Sequence, residues 1–496
     1  MVTMLVTVAW LLLPLLLLAI TYRRRPTTSP RRRLPPGSSG LPFIGETLHL
    51  FLPSTDFDLI PFLKSRLRRY GPVFTTNLFG KQIAVSADSE LNHFLLQRDQ
   101  QLIETWHTDT SAGLFGDVDI NLASVHKYVR FATLRSFGVQ ELRERRLPEM
   151  ERRVHVALGD WSERASVEVK HATATMVLNY GAKLVFGYDP QQYSKEKLVD
   201  LYSSITKSLI SIPLKIPGTT HYKCLKEKEK AVKLIRNEFR KRQQASFSST
   251  KEPSKGDDFL DHAIRELNND GEKKPYSLSL TEDFIVNFIF ALNFVSHDTI
   301  ANIMTLAVKL IEDHPLVLEE LVAEHEAILK ARESTSVGIS WDEYKSMTFT
   351  LQVINETLRL GNLGPGILRR AVQDIHTNNG YTIPSGCGIL IAISAMHLNP
   401  ETYKDPLTFN PWRWSGVSPS DRMYKDLMPF GWGMKQCAGS EYARLFVATF
   451  LHVLVTKYTW KRIKGGNLRR NPLLIFDQGL HVKFMEKEIT QQPPSN

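Results

Sequence analysis

No charged residue interrupts the chain from Val2 to Tyr22, twenty-one positions dominated by Leu, Val and Ala. A helix of that length crosses the hydrocarbon core of a bilayer, so the pattern predicts one N-terminal transmembrane helix over 1–22. A cleaved signal peptide is the rival reading. Against it, no Lys or Arg precedes the run, the run is long, and no clear small-x-small site follows it. Further on, β-rich runs flank Phe79-Gly80-Lys81, which predicts a hairpin over Val73 to Val85. From about Asp88 to Thr350 the apolar spacing is mostly helical, broken by polar loops at Ser246 to Asp258 and Asn268 to Pro275. Strand patterns return at Gly388 to Ile393, Leu473 to Phe476 and His481 to Phe484. One segment, Phe284 to Leu310, is apolar on nearly every side. It is preceded by a capping-box pattern at Ser279 and Glu282 and stopped by Pro315. A helix of about 33 residues, roughly 50 Å long, is expected there. A helix apolar all round lies in a core or a membrane, and His297 and Asp298 at its middle favour the core. The predicted fold class is mainly α with small β-sheets.

Charge changes the picture at the N-terminal end. Arg23-Arg24-Arg25 and Arg31-Arg32-Arg33 follow the apolar run, and such clusters hold their side of a membrane protein in the cytosol. The expectation is a single-pass protein of the endoplasmic reticulum membrane with a cytosolic body. Pro26 to Gly40 reads as a short, stiff spacer, since proline fixes φ and removes donors. The expected organisation is an anchor at 1–22, a basic, Pro-rich hinge at 23–40 and a catalytic body at 41–496. A net charge of +10 raises the question of nucleic acid. The basic residues, however, gather beside the anchor or scatter over helical faces, and no nucleic-acid motif is present, so nucleic acid is excluded as a partner. Membrane lipid and an acidic protein surface fit better. Three widely spaced cysteines, Cys224, Cys387 and Cys437, give neither a disulfide framework nor a zinc cluster.

Candidate chemistry begins at Phe430-Gly431-Trp432-Gly433-Met434-Lys435-Gln436-Cys437-Ala438-Gly439. Cys437 stands on a glycine-flanked loop just before the helical run Ser440 to Thr456, where a helix N-terminus favours thiolate. Gly431 and Gly433 offer no Cβ to a flat macrocycle, and a single thiolate of this kind holds iron in haem-thiolate oxygenases. A buried structural cysteine is the plainer alternative. Within the apolar spine, Val295-Ser296-His297-Asp298-Thr299 sets an acid beside a hydroxyl. Such a pair can relay protons; equally, Thr299 can bond back to its own helix while Asp298 meets a nearby cation. Glu356 and Arg359, three apart on an apolar helix, with Arg413 of Phe409-Asn410-Pro411-Trp412-Arg413-Trp414, can form a buried network. His126 and Arg130, four apart, and Arg369 are cations that either face solvent or pair with buried carboxylates.

Taken in order, these signatures closely resemble the cytochrome P450 superfamily from about residue 35 to the C-terminus. The windows Trp341 to Asn362, Gly380 to Gly386 and Phe409 to Trp414 look like a plant clan of sterol, brassinosteroid and triterpenoid hydroxylases, and Leu454 to Asn467 like its triterpenoid- and sterol-modifying branch. The resemblance implies a cytochrome P450 fold, with 41–496 as haem-thiolate catalytic domain and haem b as cofactor. Cys437 would be the iron ligand, and His126, Arg130, Arg369 and Lys435 propionate partners. Asp298 and Thr299 would be the catalytic acid–alcohol pair, and Glu356, Arg359 and Arg413 the structural triad. It further implies a monooxygenase acting on a sterol, steroid or triterpenoid, with NADPH-derived electrons delivered by NADPH-cytochrome P450 reductase docking where Lys435, Lys457, Lys461 and Arg462 lie. An oxygen-independent haem-thiolate isomerase or dehydratase, and a degenerate haem- or lipid-binding protein, are the alternatives. The chain departs from the family's usual residues at Lys435 (commonly Arg), at Val295 and Ser296 (commonly small residue and Gly) and at Trp432. The wall of the substrate pocket is expected from Trp106 to Phe115, Phe290 to Val295, Leu363 to Leu368 and around Leu480.

Overall fold

Residue pattern and tertiary contacts meet first in the sheet. The computed structural model describes residues 33–106, 123–192, 197–206, 215–247, 258–268, 278, 280–332, 338–364 and 366–488. Strand β1 is Gly37–Ser38, β2 Val73–Leu78, β3 Lys81–Ser86, β4 Ile103–Thr105, β5 Val167–Glu168, β6 Ile367–Ala371, β7 Gly388–Ile391, β8 Tyr458–Gly465 and β9 Leu480–Glu486. The predicted hairpin forms as β2 and β3, paired Val73↔Ser86 to Leu78↔Lys81. Phe79 and Gly80 close it at φ 54 and 73, the sense of turn that matches strand twist. The larger sheet has six strands in the order β1-β2-β3-β7-β6-β4, and β8, β9 and β5 make a three-stranded sheet. Part of the expected hinge is already bonded to the body. Thr75 donates to Pro36 O at 2.8 Å and Pro35 O at 2.9 Å, and Thr382 N–H donates to Arg33 O at 2.8 Å. The anchor segment 1–22 lies outside the described residues.

The helices that position the site are α1 Ser89–Gln97, α2 Ala123–Phe137, α3 Leu147–Ser162, α4 Val169–Phe186, α5 Leu198–Thr206, α6 Thr220–Phe247, α7 Glu282–Asp313, α8 Pro315–Lys330, α9 Thr348–Gly361 and α10 Ser440–Lys457. The apolar spine is α7, 32 residues long. Ser279 of the expected capping box lies outside the described residues, and Thr281 caps the helix instead, its side chain accepting from Phe284 N–H at 3.1 Å. Pro315 ends the spine by opening α8. Although α7 is long and apolar enough to cross a membrane, it packs inside the body against α4, α6, α9 and α10. Ala172, Ala174, Gly181 and Ala182 keep α4 slim, so that Thr173 Oγ1 reaches Ala301 O of α7 at 3.4 Å.

Candidate active site

The chain from Met428 to Gly439 folds as a tight loop leading into α10. Cys437 N–H donates back to Phe430 O at 2.9 Å, which closes the loop and turns the thiol outward. Cys224 and Cys387 are buried, while Cys437 is exposed, and what it opens onto is a cavity of about 810 Å³ walled by α2, α4, α7, the chain after α9 and the cysteine loop itself. The glycines divide their work. Gly431 lines the cavity. Gly433, at φ 75, presses against α1, where a Cβ would come within 2.4 Å of Leu96 O, so its missing side chain serves helix packing and not the cavity. Burial pushes the Cys437 thiol up, and neither Gly439 N–H nor Arg130 offsets it. The helix N-terminus, which favours thiolate, is thus opposed at Cys437 by burial.

Across the cavity stands α7. Thr299 is on the wall, its hydroxyl donating to Val295 O at 2.8 Å. Asp298 is turned away from the wall toward α4, with Oδ1 3.3 Å from Lys170 Nζ and Oδ2 accepting from Asn302 Nδ2 at 3.0 Å. The acid and the alcohol are thus neighbours in sequence but face different surroundings. Val295 projects into the cavity, 51% exposed. His297 is buried, one ring nitrogen bonded to Asn293 O at 3.0 Å and the ring edge-on to Tyr202; burial depresses its basicity. Trp432 points away from the cavity and packs edge-on against His93 of α1, centroids 4.9 Å apart.

The four cations do converge. Arg130 of α2 donates to Gln436 O, beside Cys437, at 3.3 Å. Lys435 Nζ lies 3.1 Å from Asp99 Oδ1 and donates to Thr105 Oγ1 at 2.6 Å, and Arg369 Nε reaches Asp99 Oδ2 at 3.1 Å. His126 has its basicity lowered by burial and then by Lys435 and Arg130, with Asp99 opposing. Among the described residues, the three cations Arg130, Arg369 and Lys435 against the one carboxylate Asp99 leave two positive charges beside the cysteine loop. Two carboxylates are what the propionates of a haem would bring. Asp99 was not foreseen, since nothing in Arg98-Asp99-Gln100 distinguishes it from a surface acid.

Behind the site, Glu356 receives Arg359 at 2.9 and 2.8 Å, Arg413 Nε at 2.9 Å, Trp414 Nε1 at 3.0 Å and Asn410 N–H at 3.1 Å. Arg359, fully buried, also donates to His397 O and Pro406 O. The predicted network is therefore formed, extended by a tryptophan and by backbone from the chain that leads to the cysteine loop. Of the expected pocket wall, Ala291, Leu292, Asn293 and Val295 line the cavity, as do Leu363, Gly364 and Ile367. Leu480 is buried elsewhere, and residues 107–115 lie outside the described residues. Phe137 of α2 and Gly181 and Val185 of α4 also line it, contributions that only the packing of those helices reveals. Lys435 and Arg462 are held by internal acids, which leaves Lys457 and Lys461 as the exposed members of the expected docking set.

A cysteine loop facing a hydroxyl-bearing helix across a mostly apolar cavity, with surplus cations beside the cysteine, defines a haem-thiolate protein. The chain belongs to the cytochrome P450 family, whose description Cytochrome P450 matches residues 35–477. It is 42% identical over 459 residues to the beta-amyrin 16-alpha-hydroxylase of Maesa lanceolata, covering 92% of this chain and 93% of that protein. Identity is 43% over 459 residues to the cucurbitadienol 11-hydroxylase of Siraitia grosvenorii, with 92% and 93% covered. To the cholesterol 22-monohydroxylase of Paris polyphylla it is 34% over 459 residues, with 91% and 93% covered. Among solved structures, the retinoic acid-bound cyanobacterial CYP120A1 superposes with a TM-score of 0.77 at 24% identity, over 92% of this chain and 100% of that one; this shows the shared fold. The enzyme is thus a cytochrome P450 monooxygenase with a haem-thiolate iron cofactor and a hydrophobic substrate, supplied with electrons by a redox partner.

Proposed function

We propose that this monooxygenase hydroxylates a sterol or triterpenoid while tethered to the endoplasmic reticulum membrane by residues 1–22, through a basic hinge at 23–40, with the catalytic domain in the cytosol. One observation carries the reading: a single, mostly apolar cavity of about 810 Å³ has Cys437 on one wall and Thr299 on another. That volume falls in the range of sites that enclose a small organic ligand, and the three plant relatives act by name on polycyclic terpenoid or sterol substrates. The haem supplies dioxygen activation and insertion of one oxygen atom into a C–H bond, which the thiolate of Cys437 favours by donating electron density.

The protein's own residues do the rest. Cys437 would hold the iron, and Arg130, Arg369, Lys435 and His126 would bind the propionates. Thr299 presents a hydroxyl to the cavity, and Asp298, one residue before it and salt-linked to Lys170, connects that hydroxyl's helix to protons outside. Apolar side chains exclude water, and Glu356, Arg359 and Arg413 fix the segment that leads to the loop. NADPH-cytochrome P450 reductase is the proposed electron donor, with exposed Lys457 and Lys461 on the side it approaches. The test is co-expression with a plant reductase and mass spectrometry against a sterol and triterpenoid panel. The reduced, carbon monoxide-treated protein should show the thiolate Soret band, lost in Cys437→Ala; NADPH-dependent product from no member of the panel would overturn the substrate class.

A further inference from the structure

We propose that Asn293 and Gly181 form a notch in the cavity wall that receives the hydroxyl group of a polycyclic alcohol. The proposal rests on the monooxygenase reading above and adds the one polar group the substrate must carry. Among the described residues no Lys, Arg, Asp, Glu or His lines the cavity, so polar recognition by them falls to a few neutral groups. Asn293 is one of them. Its Nδ2 donates to Ile289 O, one turn back on α7, at 3.0 Å, which settles which end of the amide is oxygen. Oδ1 is left buried without a hydrogen-bond donor among the described residues, in a residue only 1% exposed. A buried acceptor without a donor is rare and costly.

Gly181 faces it from the interior of α4 and lines the same cavity. Glycine is the least favourable residue in a helix interior after proline, and packing does not demand it here. A Cβ added at Gly181 would meet one atom within 4 Å, and that atom is Asn293 Oδ1 at 3.8 Å. The position a side chain would take at Gly181 is in ordinary contact with the unmet acceptor, and both residues line the cavity. Because Oδ1 only accepts, the occupant is a donor, and where the described wall carries no charge the fitting donor on an apolar ligand is a hydroxyl. Among the described residues, Asn362 Oδ1 and the Tyr442 hydroxyl are also without hydrogen-bond partners beside the cavity, but no described glycine has either atom among its nearest contacts. Asn293 precedes Thr299 by six residues, about 9 Å along the helix axis. A substrate anchored by its hydroxyl at the notch is therefore oxidised at a carbon remote from that hydroxyl.

The experiment uses the haem-loaded full-length protein in detergent. Cholesterol and beta-amyrin, each beside its deoxy counterpart, are titrated by the change in Soret absorbance. The wild type should bind each alcohol about ten-fold more tightly than its deoxy counterpart, equivalent to ~1.4 kcal/mol. Asn293→Leu and Gly181→Ala should each erase that preference while leaving the deoxy Kd unchanged, and Gly181→Ala should raise Tm, which separates lost recognition from lost folding. Equal wild-type affinities, as when the notch holds only a water molecule, would overturn the anchor alone. So would a preference that persists in both variants or is erased only by Asn362→Leu. Binding of neither polycycle overturns the substrate class and the anchor with it.

Discussion

Glu356 is a fully buried carboxylate with two guanidiniums, an indole and a backbone amide donating to it. Removing one partner of a buried charge network leaves the others uncompensated. Glu356→Gln is therefore expected to lower stability by about 3–5 kcal/mol and to yield haem-poor protein, measured by chemical denaturation and the haem-to-protein ratio. Asp298 and Thr299 behave differently. The Lys170–Asp298 pair is 32% and 23% exposed, so Asp298→Asn should change stability by no more than about 1 kcal/mol. Both Asp298→Asn and Thr299→Ala should nonetheless uncouple NADPH consumption from product, read as product formed per NADPH oxidised. Unchanged coupling in Thr299→Ala would count against its role with protons. At Lys435, a point charge bridges Asp99 and Thr105. Lys435→Met should speed haem loss in a myoglobin-capture assay, whereas Lys435→Arg should hold haem at least as well, since the guanidinium fork suits carboxylates.

Between elements, α8 and α10 are joined by a buried histidine pair. His325 and His452 place their Nδ1 atoms 2.9 Å apart, and the other nitrogen of His325 meets Thr350 Oγ1 of α9 at 3.0 Å. Burial, then the partner imidazole, pulls His325 down to about 3. Burial and Arg332 bring His452 to about 4, with Glu151 and Glu343 opposing and His155 adding to the fall. Both rings are neutral in the fold, while in the unfolded chain they titrate near the ordinary 6.5. The unfolded state thus binds more protons below that pH, and stability falls as pH drops from 6.5 toward 4. The loss is at most about 1.4 kcal/mol per pH unit per histidine. Thermal melts across this window should show it, and a His325→Gln/His452→Gln variant should melt with a flatter dependence on pH. The apolar periodicity of α8 and α10 was legible in the sequence. That two histidines 127 positions apart meet was not, because no local pattern encodes which helix faces abut.

For the molecule as a whole, the N-terminal chain joins the body earlier than its composition suggests. A protein starting at residue 33 keeps β1 and the Pro35 and Pro36 bonds to Thr75, and one starting at 41 loses them. The shorter form is expected to melt a few degrees lower by calorimetry, a shift that fits the loss of the hydrogen bonds to Arg33, Pro35 and Pro36 and of a short strand. Local spacing in the sequence encodes the hairpin, the long apolar spine and the Glu356–Arg359 helix face, while it leaves Cys437 open between a buried thiol and an iron ligand. The resemblance to the family, and not residue type alone, singled out the four cations. Tertiary structure alone decided how these pieces face one another. It turned Asp298 toward Lys170 while leaving Thr299 on the cavity, supplied Asp99 as the acid that gathers Arg369 and Lys435, and opened a notch between Gly181 and Asn293. The reason is physical: spacing sets which side chains share a face of one element, and only the packing of elements sets which faces share a space.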